Sequence, residues 1–218
     1  MGTDVRKVIH DGWPMSQIIA SDLEPGRTPN YCPLITRLFT LFGAASFWNL
    51  GHKLFRSTPE TYPAKTLAGD VFDDAHLSPT APVPSGPPPP VESVNSLTEL
   101  RGHISAIYAS SFFHLFDEDK QFEVGRRLAA LLDPRPGSII FGSHGARPVK
   151  GQCAEIYTNM FCHSPESWTH MWEERIFEKG QVKVNTVLKG LDMSVEGRSV
   201  LVGGGTDSYW LSWSVERL

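Results

Sequence analysis

Two aspartates stand where an acid can do chemistry. Ile18, Ile19 and Ala20 form a short apolar run that ends in Ser21 and Asp22, and Thr66 to Ala68 lead into Gly69, Asp70 and Val71. Each segment reads as a buried strand delivering a carboxylate at its carboxyl end, the end at which open α/β sheets hold their ligands. An acid placed there either accepts hydrogen bonds from a ligand or caps the turn that follows its strand. His114 lies within the aromatic turn Phe112 to Phe116. A neutral imidazole can take a proton from a substrate hydroxyl, and it serves as readily as a hydrogen-bonded piece of a pocket wall. The remaining reactive types offer less. Three cysteines, Cys32, Cys153 and Cys162, are odd in number and widely spaced, so they suggest neither a disulfide framework nor a metal site, but idle thiols in a reducing compartment. Gly203 to Gly205 precede a last strand with no strand, glycine, helix order, and read as a flexible turn, not a phosphate cradle.

The elements that must position these groups alternate. Asp4 can cap a helix whose apolar residues Val5, Val8 and Ile9 share one face, ended by Gly12 and Pro14. Phe47, Leu50, Leu54 and Phe55 recur at helical spacing before Pro59. Ile104 to Ser110 reads as a strand, and Asp117 caps a helix carrying Val124, Leu128, Leu131 and Leu132 on one face, stopped by Pro134 to Gly137. Ser138 to Phe141 reads as the next strand. Ser164-Pro165-Glu166 starts a helix with Trp168, Met171, Trp172 and Ile176 on its apolar side. Val182 to Leu188 and Tyr209 to Val215 read as an antiparallel pair. Strands alternating with helices and finished by a hairpin predict an α/β fold, a doubly wound Rossmann-like sheet with a C-terminal antiparallel edge. Residues 78–91 stand apart. Seven of the chain's 17 prolines fall between Ser78 and Pro90, and rings that fix φ and remove backbone donors predict an extended surface loop there.

Composition narrows the classes. With 218 residues, 40% hydrophobic and 20% charged, the chain has enough apolar material for a folded core and suits one domain, 1–218. A net charge of −4, with no Lys/Arg run, argues against a nucleic-acid partner. The N-terminal residues lack the pattern of a signal peptide, which points to the cytoplasm. Cys32 to Trp48 is the most apolar stretch, but Arg37 interrupts it, so no membrane span is expected.

Six segments, in order, resemble the fungal S-adenosylmethionine-dependent methyltransferases of secondary metabolism that modify polyketide-terpenoid hybrids. They are 4–12, 21–25, 50–55, 68–74, 109–116 and 160–168; the most specific parts are Asp70-Val-Phe-Asp-Asp74, within Ala68 to Asp74, and Ala109-Ser-Ser-Phe-Phe-His-Leu-Phe116. The resemblance implies S-adenosyl-L-methionine as cofactor and a small lipophilic acceptor methylated on oxygen. By it, Asp22 accepts from the ribose hydroxyls with Leu23 packed nearby, and Asp70 accepts from the adenine amino group. The Val71 N–H meets a ring nitrogen, Ala109 and Ser110 line the methionine end, and His114 is the candidate base. A carboxylate acceptor would need no base, since methyl transfer from a sulfonium is governed mainly by positioning. Trp168, Met171 and Trp172 would lie near the acceptor cavity, although core packing already accounts for them. A homodimer is implied by the resemblance alone.

Two departures from the family pattern are expected to matter. The family places an apolar strand and a glycine-rich turn before Asp4, where this sequence has Met1, Gly2 and Thr3. That strand would be central in the sheet. Without it, neighbouring strands would close a gap of roughly 10 Å or leave backbone groups unpaired. Residues 26–46 interrupt a pattern that is otherwise nearly continuous, and read as an insertion. The alternative is a methyltransferase-like protein without transfer activity, acting as a partner subunit or a substrate-shaping cavity.

Overall fold

The computed structural model describes residues 3–22, 47–152, 160–190 and 209–218. Leu23, the expected insertion 26–46, Cys32, Cys153 and the Gly203–Gly205 link lie outside them. The chain divides into two compact units, Met1–Leu100 and Arg101–Leu218, each described by itself.

In the first unit, α1 (Thr3–His10) carries Asp4 in its first turn and Lys7 and His10 in its last, the order the helix dipole favours. Gly12, at φ +103°, ends it: Gly12 N–H donates to the Ile9 carbonyl and Trp13 N–H to that of Val8. This paired closure needs a left-handed residue, which glycine supplies without a Cβ penalty. Next come β1 (Ile19–Asp22), α2 (Phe47–Leu54) and β2 (Lys65–Ala68). The two strands pair in parallel, Ile19 opposite Lys65 and Asp22 opposite Ala68, so a connection containing a helix joins two parallel neighbours, as the sequence pattern predicts. Arg6 of α1 lies over the rings of Phe55 and Tyr62, at 4.6 and 4.1 Å, and donates to Ser57 Oγ at 2.7 Å. The proline-rich residues 79–90 form no helix or strand and hang between buried Leu77 and Val94.

The second unit is a mixed sheet in the order β3-β4-β8-β7: β3 (Ala106–Tyr108), β4 (Ile139–Ala146), β7 (Val182–Gly190) and β8 (Tyr209–Arg217). β3 and β4 are parallel, joined through α3 (Glu118–Leu131), and β8 runs antiparallel to both β4 and β7. The expected hairpin is present at full length, with nine residues in each strand. The sheet is therefore that of a mixed α/β protein. Asp117 caps α3 as read, its side chain accepting from Lys120 N–H, and Val124, Leu128 and Leu131 are buried. β5 (Gly151–Gln152) and β6 (Phe161–Cys162) make a small antiparallel pair.

α4 (Pro165–His170) starts at a reciprocal capping box between Ser164 and Ser167, with proline in its first turn, and runs on into a π-helix, Met171–Ile176. Trp168, Met171 and Trp172, at i, i+3 and i+4, share one face and are all buried. Three indoles surround Phe113, which meets Trp168 edge-on at 4.9 Å, Trp213 at 5.6 Å and Trp172 at 6.2 Å. Gly125 of α3 lets the π-turn approach, since a Cβ there would sit 2.5 Å from Ile176 Cδ1.

Cys162 is disulfide-bonded, which corrects the reading of all three cysteines as idle thiols. Spacing along a chain does not measure separation in space, so an odd, scattered count hid the bond. The idle-thiol argument for a reducing compartment falls with it. Among the described residues, no helix is long and apolar enough to cross a membrane.

Candidate cofactor site

The tips of β1 and β2 carry the two expected acids. The ladder continues one step beyond β2, where Gly69 N–H donates to the Asp22 carbonyl at 2.9 Å, and Asp70 follows directly. The two aspartates thus emerge from neighbouring parallel strands at the same end. Asp70 also caps its own turn, Oδ1 accepting from Phe72 N–H at 2.9 Å, and Asp73 does the same for Ala75 N–H. Both roles that the sequence allowed for Asp70 are compatible, because a carboxylate has two oxygens and about four lone-pair sites. The main chain tightens through Asp73 N–H to the Asp70 carbonyl, placing Val71 inside the loop.

One residue of this tip was missed. His76 is buried, with Nε2 3.1 Å from Ser21 Oγ, and a Cβ on Gly69 would overlap its imidazole. Burial pushes His76 below the usual histidine range, while the nearby Asp73 and Asp70 charges oppose that shift. The sequence signal was the glycine of Gly69-Asp70, which marks a close approach as well as a turn.

In the second unit, Ala109, Ser110 and His114 are all held by β4. Ala109 N–H donates to the Phe141 carbonyl at 2.9 Å, and the Ala109 carbonyl lies so close over Gly142 that a Cβ would overlap it. Ser110 Oγ is 3.0 Å from Ser143 Oγ and 3.2 Å from the Ser143 carbonyl. Ser111, at φ +53°, turns the chain and donates its N–H to the same carbonyl at 2.7 Å. His114 Nδ1 accepts from Gly145 N–H at 3.1 Å. In the neutral ring this fixes the proton on Nε2, and burial lowers the pKa to about 4. As placed, the ring therefore presents a donor, and the lone pair a base would use is engaged.

Two further histidines are buried in this unit. His144 Nδ1 accepts from Trp213 Nε1–H at 2.9 Å, its ring 4.5 Å from that of Trp168. Burial, with minor contributions from His114 and His163, holds its pKa well down. His163 Nδ1 is 2.9 Å from Ser167 Oγ, and burial lowers it to about 4 against the opposing Glu118 charge. A groove of about 390 Å³ between α4 and β7 is lined by Glu166, His170, Glu173, Glu174 and Thr186 among others, and shares no residue with either strand tip. Among the described residues no histidine, cysteine and carboxylate group is arranged to hold a metal ion.

Sequence similarity to known proteins bears on the chemistry. The chain is 29% identical over 182 residues to the O-methyltransferase phiE of a fungal species, covering 83% of this chain and 48% of that protein. It is 27% identical over 185 residues to the methyltransferase adrK of Penicillium rubens (84% and 52%). To the Asnovolin E/Chermesin D methyltransferase nvfJ of Aspergillus novofumigatus it is 23% identical over 224 residues (99% and 62%). The chain is thus similar in sequence, over most of its length, to fungal methyltransferases. It spans about half the length of the first two of these relatives. No protein-family model matches it. A Burkholderia thailandensis 1,6-didemethyltoxoflavin-N1-methyltransferase structure aligns over 98% of this chain and 76% of its own, at TM-score 0.46 and 11% identity, a likeness too distant to bear on the site.

Proposed function

We propose that the chain works as an S-adenosyl-L-methionine-dependent methyltransferase acting on an oxygen of a small lipophilic metabolite. The observation that carries this reading is the parallel register of β1 and β2, which puts Asp22 and Asp70 at adjoining tips. The hydrogen-bonding groups of that tip suit an adenosine. Asp22 can accept from two vicinal hydroxyls, Asp70 can accept from an exocyclic amino group while its Oδ1 still caps Phe72, and the Val71 N–H can meet a ring nitrogen. Leu23, Ala109 and Ser110 enter the proposal as cofactor-binding residues on the family likeness alone. When bound, the cofactor supplies an electrophilic sulfonium methyl.

His114 enters this reading as a donor or a wall of the acceptor pocket. Its engaged Nδ1 and low pKa favour an acceptor that needs no general base, such as a carboxylate already ionised at neutral pH. A binding role without transfer is the second reading, and the same engaged lone pair favours it.

Isothermal calorimetry with S-adenosylhomocysteine tests the core of the proposal. Asp22→Ala should weaken binding by about 1 to 3 kcal/mol, the cost of leaving polar groups without partners. An unchanged dissociation constant would show that the ribose is elsewhere. Turnover of a carboxylate acceptor separates transfer from binding alone, and light scattering tests the homodimer that the resemblance suggests.

A further inference from the structure

We propose that His76 is the positioning residue of the adenosine grip, a clamp that sets both Asp22 and Asp70 without touching the ligand. The inference deepens the function proposed above and rests on it.

Three attachments meet at this one residue. Its side chain reaches β1, with Nε2 3.1 Å from Ser21 Oγ, the hydroxyl of the residue just before Asp22. Successive side chains of a strand point to opposite faces, so the clamp holds the face behind the one Asp22 presents. Its ring lies against the backbone of Gly69, where any Cβ would overlap it, immediately before Asp70. Its main chain is tied on both sides: His76 N–H donates to the Asp73 carbonyl at 2.9 Å, and its own carbonyl accepts from Thr98 N–H at 3.1 Å and Thr98 Oγ at 3.3 Å.

The loop 70–76 closes on itself through the Asp70 and Asp73 side-chain caps. Such caps fix the loop's internal shape but not where it lies relative to β1. In this loop the Ser21–His76 bond supplies a side-chain tie to the neighbouring strand, next to the backbone bond from Gly69 to Asp22. Accepting hydrogen bonds from one rigid nucleoside requires both carboxylates to be held to within about 0.5 Å. A ring packed on glycine, with one end bonded across the sheet, provides that constraint. A metal role for the same residues is set aside by the absence of a suitable ligand group among the described residues.

The test is calorimetric titration of the full 218-residue chain with S-adenosylhomocysteine. His76→Ala should raise the dissociation constant by about tenfold, and Ser21→Ala by a smaller factor, about threefold, for loss of the one hydrogen bond. His76→Gln, whose amide can still reach Ser21 Oγ, should recover most of the loss, a rescue that mere filling of space does not predict. His76→Ala binding as tightly as the wild-type chain overturns the proposal, as does His76→Gln binding no better than His76→Ala with both folded. Should His76→Ala not fold, Ser21→Ala decides, and a wild-type constant for it overturns the clamp. A wild-type chain that binds no S-adenosylhomocysteine sinks the proposed function and the clamp together; the variant results sink the clamp alone.

Discussion

Lowering the pH should unfold this chain through its buried histidines. His114 and His163 have pKa values near 4 in the fold, against about 6.5 in an unfolded chain. Between those values the unfolded state binds protons that the native state does not, so stability is full above pH 6.5 and is lost as the pH falls toward 4. Each of the two costs about 2 kcal/mol between pH 7 and pH 5, or about 4 kcal/mol together. His144 and His76, shifted the same way, add to the loss. Against a typical total of about 5–15 kcal/mol, that is a large fraction. Urea unfolding followed by circular dichroism at pH 7, 6 and 5 measures it. His163→Gln should flatten the slope by about 2 kcal/mol over this range, whatever its effect at pH 7, because the titrating ring is gone. Equal stability at pH 7 and pH 5, or an unchanged slope in His163→Gln, would refute the reasoning.

Two glycine substitutions should differ in kind. Gly142→Ala drives a methyl into the Ala109 carbonyl, which is backbone and cannot turn aside; a loss of about 3 kcal/mol or more in chemical denaturation is expected. Gly125→Ala overlaps the end of the Ile176 side chain, with Trp172 and Met171 at ordinary contact distance, and gains about 1 kcal/mol of helix propensity, so a net change within about 1 kcal/mol is expected, and a larger loss would show that Ile176 cannot yield. Asp117→Ala removes the α3 cap bonded to Lys120 N–H at 2.8 Å, which should lower stability by about 1 kcal/mol, read from the urea midpoint.

What was legible in the sequence was what periodicity encodes. Val124, Leu128 and Leu131 marked α3 because a helix repeats its face every three or four residues, and Tyr209 to Val215 marked most of β8. β4 was read short, as Ser138 to Phe141, because Gly142-Ser-His-Gly145 has the composition of a turn. In the fold those glycines continue the strand: Gly142 admits the Ala109 carbonyl, and the Gly145 N–H serves His114. The π-turn Met171–Ile176 was invisible because its apolar residues also fit ordinary helical spacing. At the candidate site, Asp22 and Asp70 were legible as acids ending apolar runs. His76 was not, since its partners Ser21 and Gly69 are distant in sequence and only strand pairing makes them neighbours.

The indoles around Phe113 give the second unit an optical signature. Trp168 and Trp213 have ring centres 4.9 Å apart, and Trp172 stacks on Trp213 at 6.2 Å with 26° between their planes. Chromophores this close couple their transitions, and a fixed, asymmetric arrangement of them gives near-ultraviolet dichroism that disappears when side-chain packing is lost even if helices and strands persist. One spectrum can therefore follow the melting of the aromatic cluster without any added dye.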